Sequence, residues 1–186
     1  MATVKDLKNK TKQFGRNPQS YPKLGVSKVE ISPSIGVKTI RFSAAVKGKA
    51  KPFYRVGILF TNVEYTTERQ EGPSWRRISF NNQVYYYKVP AMDNNNCKVY
   101  CQCKDFTFRF SKQDFDAKAL IGNWTRYDAR KSSPGKDQYY KVEGRWRVTQ
   151  HPDKGGLPFV NPGDIPGICK HLYNFILQLK KKDFLY

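Results

Sequence analysis

The chain has 186 residues and a mass of 21.6 kDa, enough for one ordinary domain and too little for two independent large cores. Thirty-four Lys and Arg against fifteen Asp and Glu give a formal net charge of +19, so an anionic partner is expected. The 39% hydrophobic and 15% aromatic content excludes a disordered chain and makes Phe and Tyr the main source of buried area.

Thirteen of the Lys and Arg residues fall within residues 1–55, against only Asp6 and Glu30 as acids. Among the first residues Lys5, Lys8, Lys10, Lys12 and Arg16 are mixed with Asn, Gln, Gly and Pro, with no sustained apolar period. Residues 1–26 therefore read as an extended basic arm, suited to a phosphate backbone or an acidic protein surface, or else as a solubilising tail. The rest, 27–186, reads as a single β-rich domain.

From Ser27 to Cys103 short β-branched and aromatic runs alternate with turn residues, the all-β signal. Lys38 to Val46 is one predicted strand. Tyr54 to Tyr65 is the clearest, with Tyr54, Val56, Ile58 and Phe60 on one face by their period of two. Trp75 to Phe80 and Gln83 to Val89 flank Asn81-Asn82, which predicts a hairpin. After a turn at Asp93 to Asn96, Cys97, Val99, Cys101 and Cys103 fall on one face of a further strand.

Beyond Lys104 both periods are present, and the spacing of Phe106, Phe110, Ala117 and Ile121 favours a helix over about 105–120. Residues 122–164 are rich in Gly, Pro, Lys, Arg and aromatics and read as a long insertion with one short strand near Gln138 to Val148. Asp164-Ile-Pro166 then opens a C-terminal helix whose apolar stripe is Ile168, Leu172, Phe175, Ile176 and Leu179. The fold class expected is α+β: an antiparallel sheet body with this amphipathic helix packed on it.

The most specific pattern is Cys101-Gln-Cys103 with Cys169-Lys-His171. Three soft sulfurs and one imidazole make a tetrahedral set that Zn²⁺ accepts, and four protein ligands leave no place for a reactive water. A structural zinc held by Cys101, Cys103, Cys169 and His171 would clip the last strand to the C-terminal helix and close the stretch between them into a loop. Two other uses remain open. The cysteines can be small buried hydrophobes with His171 an ordinary helix residue, or Cys97, Cys101, Cys103 and Cys169 can hold an iron–sulfur cluster. His151 reads as a solvated loop residue, and Asp114 and Asp116 as solvated charges.

The run Val99-Tyr-Cys-Gln-Cys-Lys-Asp-Phe-Thr-Phe-Arg-Phe110, taken with Asn161-Pro-Gly-Asp-Ile-Pro-Gly-Ile-Cys-Lys-His-Leu172, resembles a family of structural proteins of tailed bacteriophages, and the cysteine spacing resembles the SWIM-type zinc module. The likeness covers about residues 54–180 and is specific in the two cysteine segments. It implies a small metal-bearing virion component of the neck, tail or baseplate, made in the host cytoplasm and surrounded by other virion proteins in a symmetric assembly.

Three function classes compete on these residues. The first is a non-enzymatic assembly protein that docks to neighbouring subunits through its arm and aromatic loops. The alternative is a nucleic-acid-binding SWIM-like zinc protein with DNA backbone contact, supported by basic–aromatic runs such as Trp124 to Tyr127 and Arg145 to Arg147. An enzyme is disfavoured: no Gly-rich phosphate loop and no Ser/His/Asp arrangement can be assembled, so no catalytic residue and no small-molecule substrate are assigned. No apolar run reaches the ~20 residues of a membrane-spanning helix, and the N-terminus carries no apolar core of the secretory kind. A reducing compartment, where cysteines stay free for a metal, is the expectation.

Overall fold

The predicted period-two strands form, but the one expected over Tyr54 to Tyr65 ends at Phe60, because the chain turns at Asn62, where φ is 58°. The computed structural model describes residues 2–13, 15–48, 51–122, 138–142, 145–149 and 165–186. Strands β1 (Ala2–Thr3), β2 (Glu30–Ser34), β3 (Thr39–Lys47), β4 (Phe53–Phe60) and β8 (Asn96–Cys101) make a five-stranded antiparallel sheet in the order β1-β8-β4-β3-β2. Its register places Val56 between Ala44 and Cys101, and Phe60 between Ile40 and Cys97. One face is apolar throughout. Ile40, Phe42, Val46, Ile58, Phe60 and Val99 on that face are fully buried.

A second, three-stranded sheet contains β5 (Tyr65–Thr66), β6 (Trp75–Phe80) and β7 (Gln83–Lys88) in the order β5-β7-β6. Asn81 and Asn82 both take positive φ, 49° and 59°, the pairing that a two-residue hairpin loop needs and that Asn tolerates. The hairpin is the predicted one. In the predicted insertion the single expected strand is instead a pair, β9 (Gln138–Val142) against β10 (Arg145–Thr149). Trp124, Tyr127, His151 and Asp164 lie outside the described residues.

The helix expected over 105–120 is broken into α2 (Lys104–Arg109) and α3 (Ser111–Asp116) at Phe110. Phe106, Phe110 and Asp114, spaced by four, are all buried. Lys118 then takes a left-handed φ of 57°, and Ala119 to Ile121 run extended beside β8, bonded to both polar groups of Val99. The last predicted turn is thus given up to the sheet edge, where backbone groups need partners.

The C-terminal helix α4 (Lys170–Lys181) lies across the apolar face and packs on β3, β4 and β8. It starts later than Asp164-Ile-Pro166 predicted, because residues 165–169 run extended. Cys169 is the N-cap residue (φ −82°, ψ 171°), outside the first turn. Leu172, Phe175 and Leu179 form its buried stripe, as expected from the periodicity.

The extended arm is the expectation that the fold overturns. Residues 2–13 are strand β1 followed by helix α1 (Val4–Gln13), and Val4, Leu7 and Thr11 are buried in the common core. Thr3 and Asp6 cap α1 reciprocally. The Asp6 N–H donates to Thr3 Oγ1 at 3.1 Å, and the Thr3 N–H donates to Asp6 Oδ2 at 3.0 Å, the capping-box arrangement with Asp in place of Glu. Further on, Leu24 N–H donates to Asn174 Oδ1 at 2.8 Å, and Asn174 Nδ2 donates to Pro22 O at 3.0 Å. The segment is therefore fixed to α4 through Pro22, Leu24 and Tyr21, and its lysines ride on a docked helix.

Candidate metal centre

Cys101 ends β8, Cys103 stands two residues on, and Cys169 and His171 open α4. The four side chains are all buried, and one donor atom from each lies within 4.8 Å of every other. A tetrahedron with metal–sulfur bonds of ~2.3 Å has sulfur–sulfur edges of about 3.8 Å, so closure on an ion needs shifts of about an ångström at most. Cys169 Sγ and His171 Nδ1 are already 4.0 Å apart. The group can hold a metal ion.

Local backbone geometry explains why these sulfurs converge. Cys103 is the N-cap of α2, and its sulfur accepts the Phe106 N–H at 3.3 Å; the Cys103 N–H in turn points to Cys101 Sγ at 3.4 Å. Cys169 caps α4 but its side chain makes no capping bond, which leaves the sulfur directed at the cluster. Helix N-termini and N–H donors favour a thiolate over a thiol. The three sulfurs differ accordingly. The pKa of Cys103 is lowered, by the hydrogen bond from Cys101 first and from Cys169 next, with His171 and the Phe106 N–H adding to them. Cys101 is raised, chiefly by its bond to Cys103, and Cys169 is raised well above the usual thiol value, first by burial. Metal binding at such a group needs the sulfurs as thiolates and so would release their remaining protons to solvent.

His171 supplies a separate indication. Its Nε2 is buried without a hydrogen-bond partner among the described residues, and its ring packs on Tyr54 at 4.7 Å between centroids. Buried ring nitrogens without partners are costly; an ion on Nε2 would offset that cost, whereas one on Nδ1, the nitrogen 4.0 Å from Cys169 Sγ, would not.

The stretch that carries Cys169 is held by Asp114 and Thr11, neither of which the sequence pattern marks as part of a site. Asp114 Oδ1 accepts the Gly167 N–H at 2.9 Å, and Thr11 Oγ1 accepts the Ile168 N–H at 2.9 Å while donating to Leu7 O at 2.7 Å. Gly167 is required here by space: a Cβ would stand 2.7 Å from Thr11 Oγ1 and 2.9 Å from Phe110 Cε1. Asp114, expected among solvated charges, is instead fully buried, and burial holds its carboxyl well above the usual carboxylate range. The signal for it was present, since Asp114 continues the spacing of Phe106 and Phe110. So was the capping box at Thr3, which would have pointed to α1 and hence to Thr11.

Cys97 stays outside the group. It faces the same side of β8 but pairs with Phe60 and Ala2, and burial pushes its thiol up to about 12. The four-cysteine set considered for an iron–sulfur cluster is therefore not brought together, because His171 takes the fourth place. No disulfide joins any of the four cysteines. Among the described residues no helix is long and apolar enough to cross a membrane. Comparisons with protein-family models, with curated proteins and with solved structures find no significant match for this chain.

Proposed function

We propose that the chain is a non-enzymatic structural protein whose body is clipped by one zinc ion on Cys101, Cys103, Cys169 and His171. The observation that carries this reading is the convergence of three buried sulfurs and one buried imidazole from segments 66 residues apart in the chain at their nearest, Cys103 and Cys169. Zinc is the ion suited to that donor set: soft thiolates with one imidazole, four-coordinate, no open position. A centre of this kind supplies folding free energy and offers no site for an activated water, which is why the reading is structural and not catalytic.

The place of work that we propose is the virion of a tailed bacteriophage, in its neck, tail or baseplate, with neighbouring virion proteins as partners. Support for this comes from the resemblance of residues 99–110 and 161–172 to structural proteins of such particles. The docked N-terminal segment changes how neighbours would be met. A basic helix fixed on the body presents Lys5 and Lys12 as an exposed surface and does not wrap a partner as a free arm would. The test is quantitative mass spectrometry of purified particles from a host producing this chain. Recovery at a fixed whole-number copy ratio to the major tail or neck proteins is expected; its absence from particles, with the protein abundant in the lysate, would overturn the assignment.

A further inference from the structure

The two faces of the five-stranded sheet are unlike. Helix α4 covers the apolar one, whereas the opposite face is mixed, with Arg41, Arg55 and serines beside Leu59, Tyr100 and Ile121, and among the described residues it forms a concavity of ≈ 970 Å³. By strand alternation this outer face carries Arg41 on β3, Arg55 on β4, and Lys98 with Tyr100 on β8. Arg41 and Arg55 are exposed, and Lys98 and Tyr100 are partly so. The register sets Arg41 and Lys98 on either side of Leu59, two strand spacings or about 10 Å apart. Arg55 lies four residues from Leu59 along β4, about 13 Å away.

Charge on this face is unbalanced. None of Arg41, Arg55 and Lys98 forms an ion pair among the described residues, and Glu30, at the margin and accepting from Ser43 Oγ at 3.4 Å, is the single carboxylate lining the concavity. At the centre Gly57 stands opposite both Ser43 and Tyr100. A Cβ built on Gly57 would meet Arg41 Nε at 3.6 Å, so the Arg41 side chain lies along the sheet surface and not away from it.

From this geometry we infer that the outer face of the sheet, through Arg41, Arg55, Lys98 and Tyr100, binds single-stranded nucleic acid. Unpaired cations about 10 to 13 Å apart follow a phosphate backbone, and the Tyr100 ring supplies a platform on which a base stacks. A shallow sheet surface suits a strand laid across it. Reading a duplex requires a helix or ribbon that enters a groove, and none projects from this face among the described residues. The inference is independent of the metal centre, which lies on the other side of the sheet.

Fluorescence anisotropy with a labelled 20-nucleotide oligothymidylate and the metal-loaded protein tests it. Wild type is expected to bind at 50 mM salt, more tightly than to a duplex of equal length. The triple variant Arg41→Gln/Arg55→Gln/Lys98→Gln is expected to lose at least ten-fold in affinity and to flatten the log K against log salt slope by about 2. Tyr100→Leu loses about ten-fold with the slope kept. A charge-matched control, Lys180→Gln/Lys181→Gln/Lys182→Gln, changes affinity less than three-fold. Absence of binding at 50 mM salt, equal losses in the two triple variants, or a Tyr100→Leu variant that binds like wild type overturns the inference. Photocrosslinking of a bromouracil-substituted strand to the unmodified protein gives a reading that needs no variant to fold. Crosslinks on β3, β4 or β8 support the face, and crosslinks confined to α1 or α4 contradict it.

Discussion

Cys97 and Cys101 stand on the same face of the same strand, four residues apart and both buried, yet their surroundings give them different chemistry. Around Cys97 the core is closed by large rings and aliphatics: Phe60 beside it, Phe42 edge-on to Phe60 at 6.1 Å and stacked on Phe184 at 5.8 Å. Around Cys101 the neighbours are small, Ala44 and Val56 across the sheet, and the space is taken by other donors. An isolated thiol in an apolar setting is inert. The same thiol beside two more sulfurs and an imidazole becomes a candidate ligand. The Phe42 and Phe60 end of this core is held by ordinary packing, whereas at the other end four potential metal donors take the place of large apolar side chains.

The largest effect should come from treating the two cysteines alike. Cys101→Ser, Cys103→Ser, Cys169→Ser and His171→Ala are each expected to lose the metal and to lower the thermal midpoint by ~10 °C or more, as the loss of about 4 kcal/mol would in a chain of this size. Cys97→Ala is expected to keep the metal and to cost about 1–2 kcal/mol. Metal content and thermal melts of the five variants measure this. Equal metal loss in Cys97→Ala would erase the distinction.

Next in size is the support behind Cys169. Gly167→Ala is expected to cost about 1–3 kcal/mol by overpacking against Thr11 and Phe110, and Thr11→Val about 1–2 kcal/mol by leaving the Ile168 N–H unpaired. Both should also weaken zinc affinity in a chelator competition, because they displace the backbone that aims Cys169 and His171. A Gly167→Ala variant with unchanged stability would mean that the close approach to Thr11 is not a constraint.

A third effect depends on pH. The folded-state pKa of Cys97, about 12 against an ordinary 9.0, means that the folded state keeps the proton that the unfolded chain releases. Stability from this group is complete below pH 9 and is lost as pH rises toward 12, about 1.4 kcal/mol by pH 10. Urea melts of wild type and Cys97→Ala should therefore converge as pH is raised from 8 to 10. Parallel curves would show that Cys97 is not the buried thiol described.

The smallest effect concerns Asp114. Its raised carboxyl pKa contributes stability at acid pH that is lost as pH rises through the folded value. Asp114→Asn keeps an acceptor for the Gly167 N–H and removes the titration, so its urea midpoint at pH 7 should lie at or above that of wild type. A lower midpoint would mean that the carboxyl is needed in its charged form.

Much of the sheet is legible in the sequence because its signals are local. Alternation in residues 54–60, the Asn81-Asn82 turn and the apolar stripe of α4 each lie within a dozen residues. The four cluster residues stand out for a similar reason: two short pairs of rare side chains. What the sequence hid is long-range. Helix α1 buries only Val4, Leu7 and Thr11 among many lysines, too thin a stripe for periodicity to register, and its anchors are far away in the chain: Ile168 N–H on Thr11 Oγ1 and Met92 O on the Lys5 N–H. Asp114 reads as a solvated charge because it stands among charged residues and carries no signal of its own. In the fold it is buried and accepts the Gly167 N–H, a partner 53 residues away that no local pattern reveals.

The most direct measurement is elemental analysis of protein purified without chelator, paired with the Cys169→Ser variant. One zinc per chain is expected in wild type and none in the variant. Stoichiometric iron in its place, or a metal-free wild-type protein with the same thermal midpoint before and after chelator treatment, would contradict it.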